Sequence, residues 1–453
     1  MKKSCLFFFC FLIVFSSLSF SLFPSSILSD QPQSARIPLA EAIQKGLKMD
    51  YDYQNAVLDT ERALLEQQLS EKNKLFQVDF DASYLYRSET MVIDYPSVDI
   101  PGLGAIPGRR IEAGVHHTYD LNLGLTQPLF TGGILTNTVQ LDAVRRAIAL
   151  NRKALQKNAI AGLIKSSFFR FHLLSSRKQS LLILQKTLDL HRRRIQDLFD
   201  EGLVRKSDLL ETLSQMEEIQ ASITDIEQAM EKENIHFHKL CGYDPEQIDA
   251  AYTEVSLPPG EALAYFKSHH PVLKTLQQQA EMVSLQRKIA SGKYLPQISS
   301  FAELHYGRPG IDFFEKKWSL YFQGGIVLTI PVFDWNRLRT QKTLLDYEAQ
   351  KLANQKDEFI KDASASLTTF YASIGKLEDK KAHISKLLEY SKEDAGLKES
   401  LYAEHQVPNI DYLAALLARE KNALLLQEID IQIETLKVNI NTLIGKSKED
   451  ADG

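Results

Sequence analysis

Cysteine is scarce in this chain, with three residues in 453, at Cys5, Cys10 and Cys241. The first two fall in an N-terminal segment that reads as removable. One thiol is left, so no disulfide within the chain can staple the fold, and stability must come from packing and assembly. Positive charge is not in excess either. Lys and Arg total 53 against 58 Asp and Glu, a formal charge of −5, and loss of Lys2 and Lys3 takes it to −7. That balance argues against a nucleic-acid partner, which calls for a concentrated basic face. A mean hydropathy of −0.22 excludes a polytopic helical membrane protein. No glycine loop cradles phosphate, so any energy must come from a partner. The histidine clusters, His116-His117, His236/His238 and His269-His270, have no carboxylates or cysteines at ligand spacing. No metal, cofactor or catalytic centre is expected.

What is present is a globular balance of 44% hydrophobic and 25% charged residues, in a chain long enough for two or three domains. It begins with Lys2-Lys3, an apolar run from Leu6 to Phe15 and small residues at Ser16, Ser17, Ser19 and Ser21. This is the three-part pattern of a secretory signal over 1–29, cleaved somewhere between Ser17 and Ser29. The apolar run is short for a permanent membrane helix, the alternative reading. No lipid anchor is expected at either early cysteine.

The remainder reads as one sentence written twice. Leu125-Thr126-Gln127-Pro128-Leu129-Phe130 recurs as Leu328-Thr329-Ile330-Pro331-Val332-Phe333, an offset of 203. The same offset carries Glu201 to Glu404, Val204 to Val407, Asp208 to Asp411, Leu210 to Leu413 and Gly242 to Gly445. Near the start of each half Glu41-Ala42 matches Glu261-Ala262 at an offset of 220. The difference of 17 residues is an insertion within Glu89 to His116, rich in Pro and Gly, whose short counterpart is Gly307 to Lys317. Both segments read as exposed loops.

Each half runs helix, strand, loop, strand, very long helix, break, helix. Val78–Ser88 and His117–Gln127 alternate apolar and polar residues, and Ile298–Tyr306 and Trp318–Thr329 do the same. That is the period of a strand with one greasy and one wet face, at a length that crosses a bilayer when tilted. Tyr84, Tyr86, Tyr306 and Trp318 near the strand ends suit a membrane interface. A hairpin of a soluble β-sandwich would carry the same pattern. No proline interrupts Thr131–Glu201 or Asp334–Val407, each roughly 70 residues and on the order of 100 Å as helix. Leu181, Leu184, Leu188, Ile195 and Leu198, and Leu417, Leu424, Ile431 and Val438, make coiled-coil seams. His191-Arg192-Arg193-Arg194 and Lys376 to Lys381 read as solvated faces. The long helices break at Gly202–Asp208 and His405–Asp411, where Asp208 and Asp411 suit helix caps.

The expected class is therefore mostly α with β. A first repeat spans 30–242, with a β-hairpin at 78–127 and a helical hairpin at 131–242. A linker at 243–260 leads to a second repeat at 261–446, with hairpins at 297–329 and 333–445, and a tail at 447–453. A membrane sheet must close, and four strands cannot close alone. If these strands face lipid, three copies supply twelve, and the helices leaving at Pro128 and Pro331 continue the cylinder. Proline can halt a ladder and open a helix. The product is a conduit and not an enzyme.

These features resemble the TolC-like outer-membrane efflux proteins. The likeness spans about Pro38 to Gly445. It rests on Gln127-Pro128-Leu129-Phe130-Thr131-Gly132-Gly133, on Tyr294-Leu295-Pro296, on the tip at Gly202 to Asp208, and on the duplication. It implies a homotrimer with a twelve-stranded outer-membrane barrel and a periplasmic α-helical barrel. Such a trimer serves as exit duct for a tripartite drug pump or type I secretion, with a periplasmic adaptor and an inner-membrane transporter as partners. It further implies a gate at the helical tips. There Tyr402 hydrogen-bonds Asp208 in the closed state, and three copies of Asp411 ring the aperture. Ordinary capping accounts for both aspartates equally well. Gly202, Leu203, Val204, His405, Val407 and Pro408 are the positions implied to meet an adaptor. His405 stands where the first half has Gly202, Ala414 where some relatives have a second acidic residue, and Phe76 opposite Pro296. Little sequence follows Gly445 for an equatorial extension. The competing readings are a periplasmic coiled-coil adaptor, which needs only one helical hairpin, and a structural coiled coil, which gives no reason for amphipathic strands.

Overall fold

The structure, a computed structural model, describes residues 36–249, 256–312, 314–404 and 406–446. The signal segment, its two cysteines, His405 and the tail after 446 lie outside the described residues, as does part of the linker. In chain order the first half contains α1 (Leu39–Met49), α2 (Tyr51–Lys72), β1 (Gln77–Tyr86), β2 (Met91–Tyr95), β3 (Val98–Ile100), β4 (Gly104–Ile106), β5 (Arg109–Ala113), β6 (His117–Phe130), α3 (Ile134–Asp200) and α4 (Lys206–Cys241). The second half contains α5 (Pro259–His269), α6 (Pro271–Gly292), β7 (Gln297–Arg308), β8 (Ser319–Thr329), α7 (Arg337–Ala403) and α8 (Asn409–Ile444).

Both long helices have 67 residues and both returning helices 36, and each pair begins 203 positions apart. The short helices α1 and α5, and α2 and α6, repeat at 220. Cores repeat with them. Ala42, Ile164, Phe237 and Cys241 fill one cluster, and their counterparts Ala262, Leu367, Ile440 and Ile444 fill another. Between the long hairpins Leu184, Leu188, Ile219 and Ile223 pack against Leu413 and Leu416 of α8. The hairpins are thus joined by a continuous apolar seam at coiled-coil spacing.

The four long strands form one antiparallel sheet in the order β1-β6-β7-β8. Gln77 pairs with Thr126 in the first hairpin, and the same step of 220 and 203 gives Gln297 with Thr329 in the second. The register sets Val78, Phe80, Ala82 and Tyr84 beside Leu125, Leu123, Leu121 and Tyr119 on one face, continued by Leu304, Phe322 and Ile326. Nothing among the described residues covers that face. Phe80, Phe322 and Ile326 are 67%, 68% and 70% exposed, which rules out a sandwich core.

Two expectations need correction. The insertion is not an open loop: β2 pairs with β5 and β3 with β4, an antiparallel arm with Ile93 opposite Ile111 and Asp94 opposite Arg110. Gly102 and Gly104, at φ 88° and 90°, make its turn. Nor do the prolines open helices. Pro128 lies inside β6 at a register shift, where a missing N–H is tolerated, and Pro331 lies six residues before α7. Each helix instead starts after two left-handed residues, Gly132-Gly133 and Trp335-Asn336. The side chains of Thr131 and Asp334 accept from the N–H of Leu135 and Leu338, closing the first turn. Backbone donation holds the Asp334 carboxyl below its usual range, the Leu338 N–H contributing most.

Candidate functional site

The strands are 10, 14, 12 and 11 residues long, enough to cross a bilayer when tilted. At the end remote from the helices, rings touch in a row across the sheet. Tyr84 meets Tyr119 at 5.1 Å, Tyr119 meets Trp318 at 5.7 Å and Trp318 meets Tyr306 at 5.0 Å. Amphipathic rings in a row at strand ends are what a headgroup boundary favours. The opposite face is polar, with Asp79, Asp81, Asp120, Asn122, Glu303 and Gln323. His305 there lies 3.0 Å from Asp120 and 3.3 Å from Glu303, under the Tyr321 ring. Among the described residues the outer edges of β1 and β8 have no strand beside them. No described helix is long and apolar enough to cross a membrane.

The other end of the molecule is the pair of hairpin tips. Gly202, at φ 75°, and Leu203 are exposed, Val204 is half-buried, and Val407 and Pro408 hold the matching turn. Asp208 caps α4: its Oδ2 accepts from the Arg205 N–H at 3.2 Å and its Oδ1 from Ser207 Oγ at 3.4 Å. Asp411 is exposed in the first turn of α8, where its charge suits the helix dipole. The structure does not bring Tyr402 and Asp208 into a hydrogen bond. Tyr402 is 6% exposed, and its Oη is buried without a partner among the described residues.

Tyr402 belongs instead to a buried knot that composition concealed. Its ring lies nearly parallel to Tyr412, at 5.6 Å and 10°, and His191 touches both rings, at 5.3 and 4.9 Å. The His191 Nε2–H donates to Asn409 Oδ1, and Asn409 Nδ2 donates to Asp208 O and Thr212 Oγ1, each at 3.2 Å. Arg194 sits 5.8 Å over the Tyr402 ring, and Ile195, Val204, Leu209 and Val407 close the knot. The knot therefore ties α3 and α4 to α7 and α8 where the hairpins end. Burial pushes the His191 imidazole below its ordinary range and both tyrosine hydroxyls above theirs. His191 is not part of a solvated charge run, because it continues the seam of Leu184, Leu188 and Ile195. Its three- and four-residue spacing from those residues is the signal that marks it. Arg192 and Arg193 do face solvent, both paired with Asp189.

The fold of this chain matches solved structures over nearly its whole length. CusC, described in terms of transmembrane channel formation, is 12% identical. The match covers 93% of this chain and 96% of that one, with a TM-score of 0.73. The chain has the fold of a TolC-like outer-membrane channel. The outer-membrane protein VceC from Vibrio cholerae superposes on this channel fold with a TM-score of 0.72 at 14% identity, over 90% and 96% of the two chains. The outer-membrane channel CmeC from Campylobacter jejuni does so at 0.71 and 13%, over 95% and 94%. No protein-family model and no curated protein matches the sequence. The channel fold carries no metal cluster among the described residues.

Proposed function

We propose that this chain is a passive exit duct of the bacterial outer membrane, working with a periplasmic adaptor and an inner-membrane transporter in tripartite efflux or type I secretion. The observation that carries the reading is the sheet. It is bilayer-high, apolar on one side and polar on the other, and among the described residues it ends in two unpaired edges. In lipid those edges must be satisfied, and three copies close twelve strands around the polar faces. The helices, about 100 Å long, continue the wall into the periplasm. An adaptor has no use for the second β-hairpin or the second helical hairpin.

We place the gate at the hairpin tips. Three Asp411 side chains ring the aperture and attract cations, while Gly202, Leu203, Val204, His405, Val407 and Pro408 meet the adaptor. Tyr402, whose hydroxyl has no partner among the described residues, is the group proposed to hydrogen-bond Asp208 in the closed state. The α7–α8 hairpin is the softer of the two. Ser391 and Asn422, hydrogen-bonded at 3.1 Å, occupy its seam where α3–α4 has Leu188 and Ile219. Mid-helix Gly375 and Gly396 cost about 1 kcal/mol each of helix stability, against the single Gly162 of α3. Membrane fractionation and planar-bilayer recording test the reading. The protein should resist salt extraction from outer membranes and form conducting pores. A salt-soluble protein that conducts nothing would sink it.

A further inference from the structure

The duplication makes the contact between the two halves of one chain a template for the contact between two chains. Resting on the trimeric reading above, we infer that β8 pairs with β1 of a second copy in one register, Leu328 with Ala82 and Ile326 with Tyr84, and that Phe333 and Trp335 close the junction beneath.

Inside the chain β6 meets β7 with Leu125 opposite Ala302 and Leu123 opposite Leu304. Stepping β6 forward by 203 gives β8, and stepping β7 back by 220 gives β1. These steps already reproduce the register of one hairpin from the other. Applied to the β6–β7 pairing, they set Leu328 against Ala82, Ile326 against Tyr84 and Gly324 against Tyr86. Every one of these residues lies on the apolar face of its own strand, although facing was not used to derive the register. A slip of one residue would set leucines against the polar face of the next strand. The helices follow the same logic. The α2–α3 packing recurs as α6–α7, and the α3–α6 packing has no recurrence among the described residues. Its image is α7 against α2 of the next copy.

The junction is where the symmetry must break. Within the chain Gly132 and Gly292 touch backbone to backbone, and a Cβ on either would overlap the other's carbonyl oxygen. Their images are Trp335 and Lys72, so two chains cannot approach that closely. Trp335 keeps the left-handed backbone of Gly132, at φ 55° against 61°, a conformation unfavourable for a bulky side chain. It is 79% exposed and stands edge-on to Phe333, itself 72% exposed. The images of Leu295 and Pro296 are Leu75 and Phe76, 63% and 61% exposed. The aromatic pair therefore fills the wider gap against Lys72, Leu75 and Phe76 of the partner subunit. An otherwise unexplained strained tryptophan becomes the wedge between subunits.

Paired cysteines test the register in the full chain, since Cys241 is buried and stays out of the reaction. Leu328→Cys with Ala82→Cys should oxidise to a covalent trimer. Leu328→Cys with Tyr86→Cys, four residues along the strand and about 13 Å away, should not, because a disulfide needs Cα atoms within about 7 Å. A link in the second pair and none in the first would overturn the register. No link in either, with a trimer still seen by sedimentation, would overturn it too. A monomer would overturn the channel reading itself. With Trp318→Phe, Trp335 is the only tryptophan of the two left. Its emission should shift to the blue on assembly, and an unchanged, water-like spectrum in the trimer would refute the wedge.

Discussion

His191→Phe is the substitution that asks most of this account. The phenyl ring keeps the tilted ring contacts with Tyr402 and Tyr412 but removes the proton given to Asn409 Oδ1, which is 4% exposed at the residue level and gains no water in exchange. An acceptor orphaned in such a site costs about 1–3 kcal/mol. If the knot holds the tip shut, the open-to-closed ratio rises about 5- to 150-fold for each chain, by the same conversion used for coupled sites. The wild type should show a milder version at low pH. Burial lowers the His191 pKa, and Arg194 beside it works the same way, against the Asn409 hydrogen bond and the more distant Glu399 carboxylate. The buried ring thus stays neutral at a pH where a free imidazole takes a proton. The knot is fully stable above about pH 6.5 and weakens as pH falls below it, because protonation is possible only when it opens. Single-channel recordings from about pH 7.5 to 5 should show the wild type opening progressively and His191→Phe open throughout with a flat profile. Asp208 faces the knot from α4, and Asp411→Asn separates the charge of the aperture from the behaviour of the knot. A wild type indifferent to pH, or a variant that stays as closed as the parent, would refute the reasoning.

Four further outcomes follow from the same geometry. His270 is buried, its Nδ1 accepts from the Val272 N–H, and burial lowers its pKa to about 4. Thermal stability should therefore fall between about pH 6.5 and 4, by on the order of 3 kcal/mol at most, and His270→Asn should flatten that slope. Leu188→Ala empties a fully buried site between the hairpins and should cost about 2–5 kcal/mol by chemical denaturation, against under 1 for exposed Leu190→Ala. Ile326→Arg, on the uncovered face, should cost about 2–4 kcal/mol of membrane stability if that residue meets lipid, and almost nothing if it meets water. Ser391→Leu with Asn422→Ile gives the second hairpin the seam of the first, and should stiffen the tip and reduce opening in bilayer recordings.

The fold was legible wherever one physical period governs many residues. Alternation in Val78–Tyr86 and Tyr119–Leu125 gave the strands and their faces, and proline-free heptads gave the long helices. The two offsets reappear in the ends of every paired helix. Local chemistry was harder to read. Pro128 has the residue type of a helix opener, yet the ladder runs past it, because the neighbouring strand tolerates a bulge there and the two glycines that follow can take the left-handed turn. The insertion carries loop composition, but paired β-branched residues such as Ile93 and Ile111 suffice to zip it. At the tip, Tyr402 and Asp208 lie close, but capping claims the aspartate and packing claims the tyrosine. The knot of His191, Asn409, Thr212 and Tyr412 has no local signature because its partners lie up to 218 positions apart in sequence: His191 reads as one of a charged run, and only the seam spacing marks it as buried.

The central claim is that two β-hairpins per chain seal a pore only when neighbouring chains complete the wall. Imaging of detergent-solubilised particles tests it most directly. Three subunits are expected around one axis, with twelve strands closed into a barrel and β8 of each beside β1 of the next. A monomer whose sheet edges and leucine-lined face remain bare in the particle, or are folded back on its own helices, would contradict it.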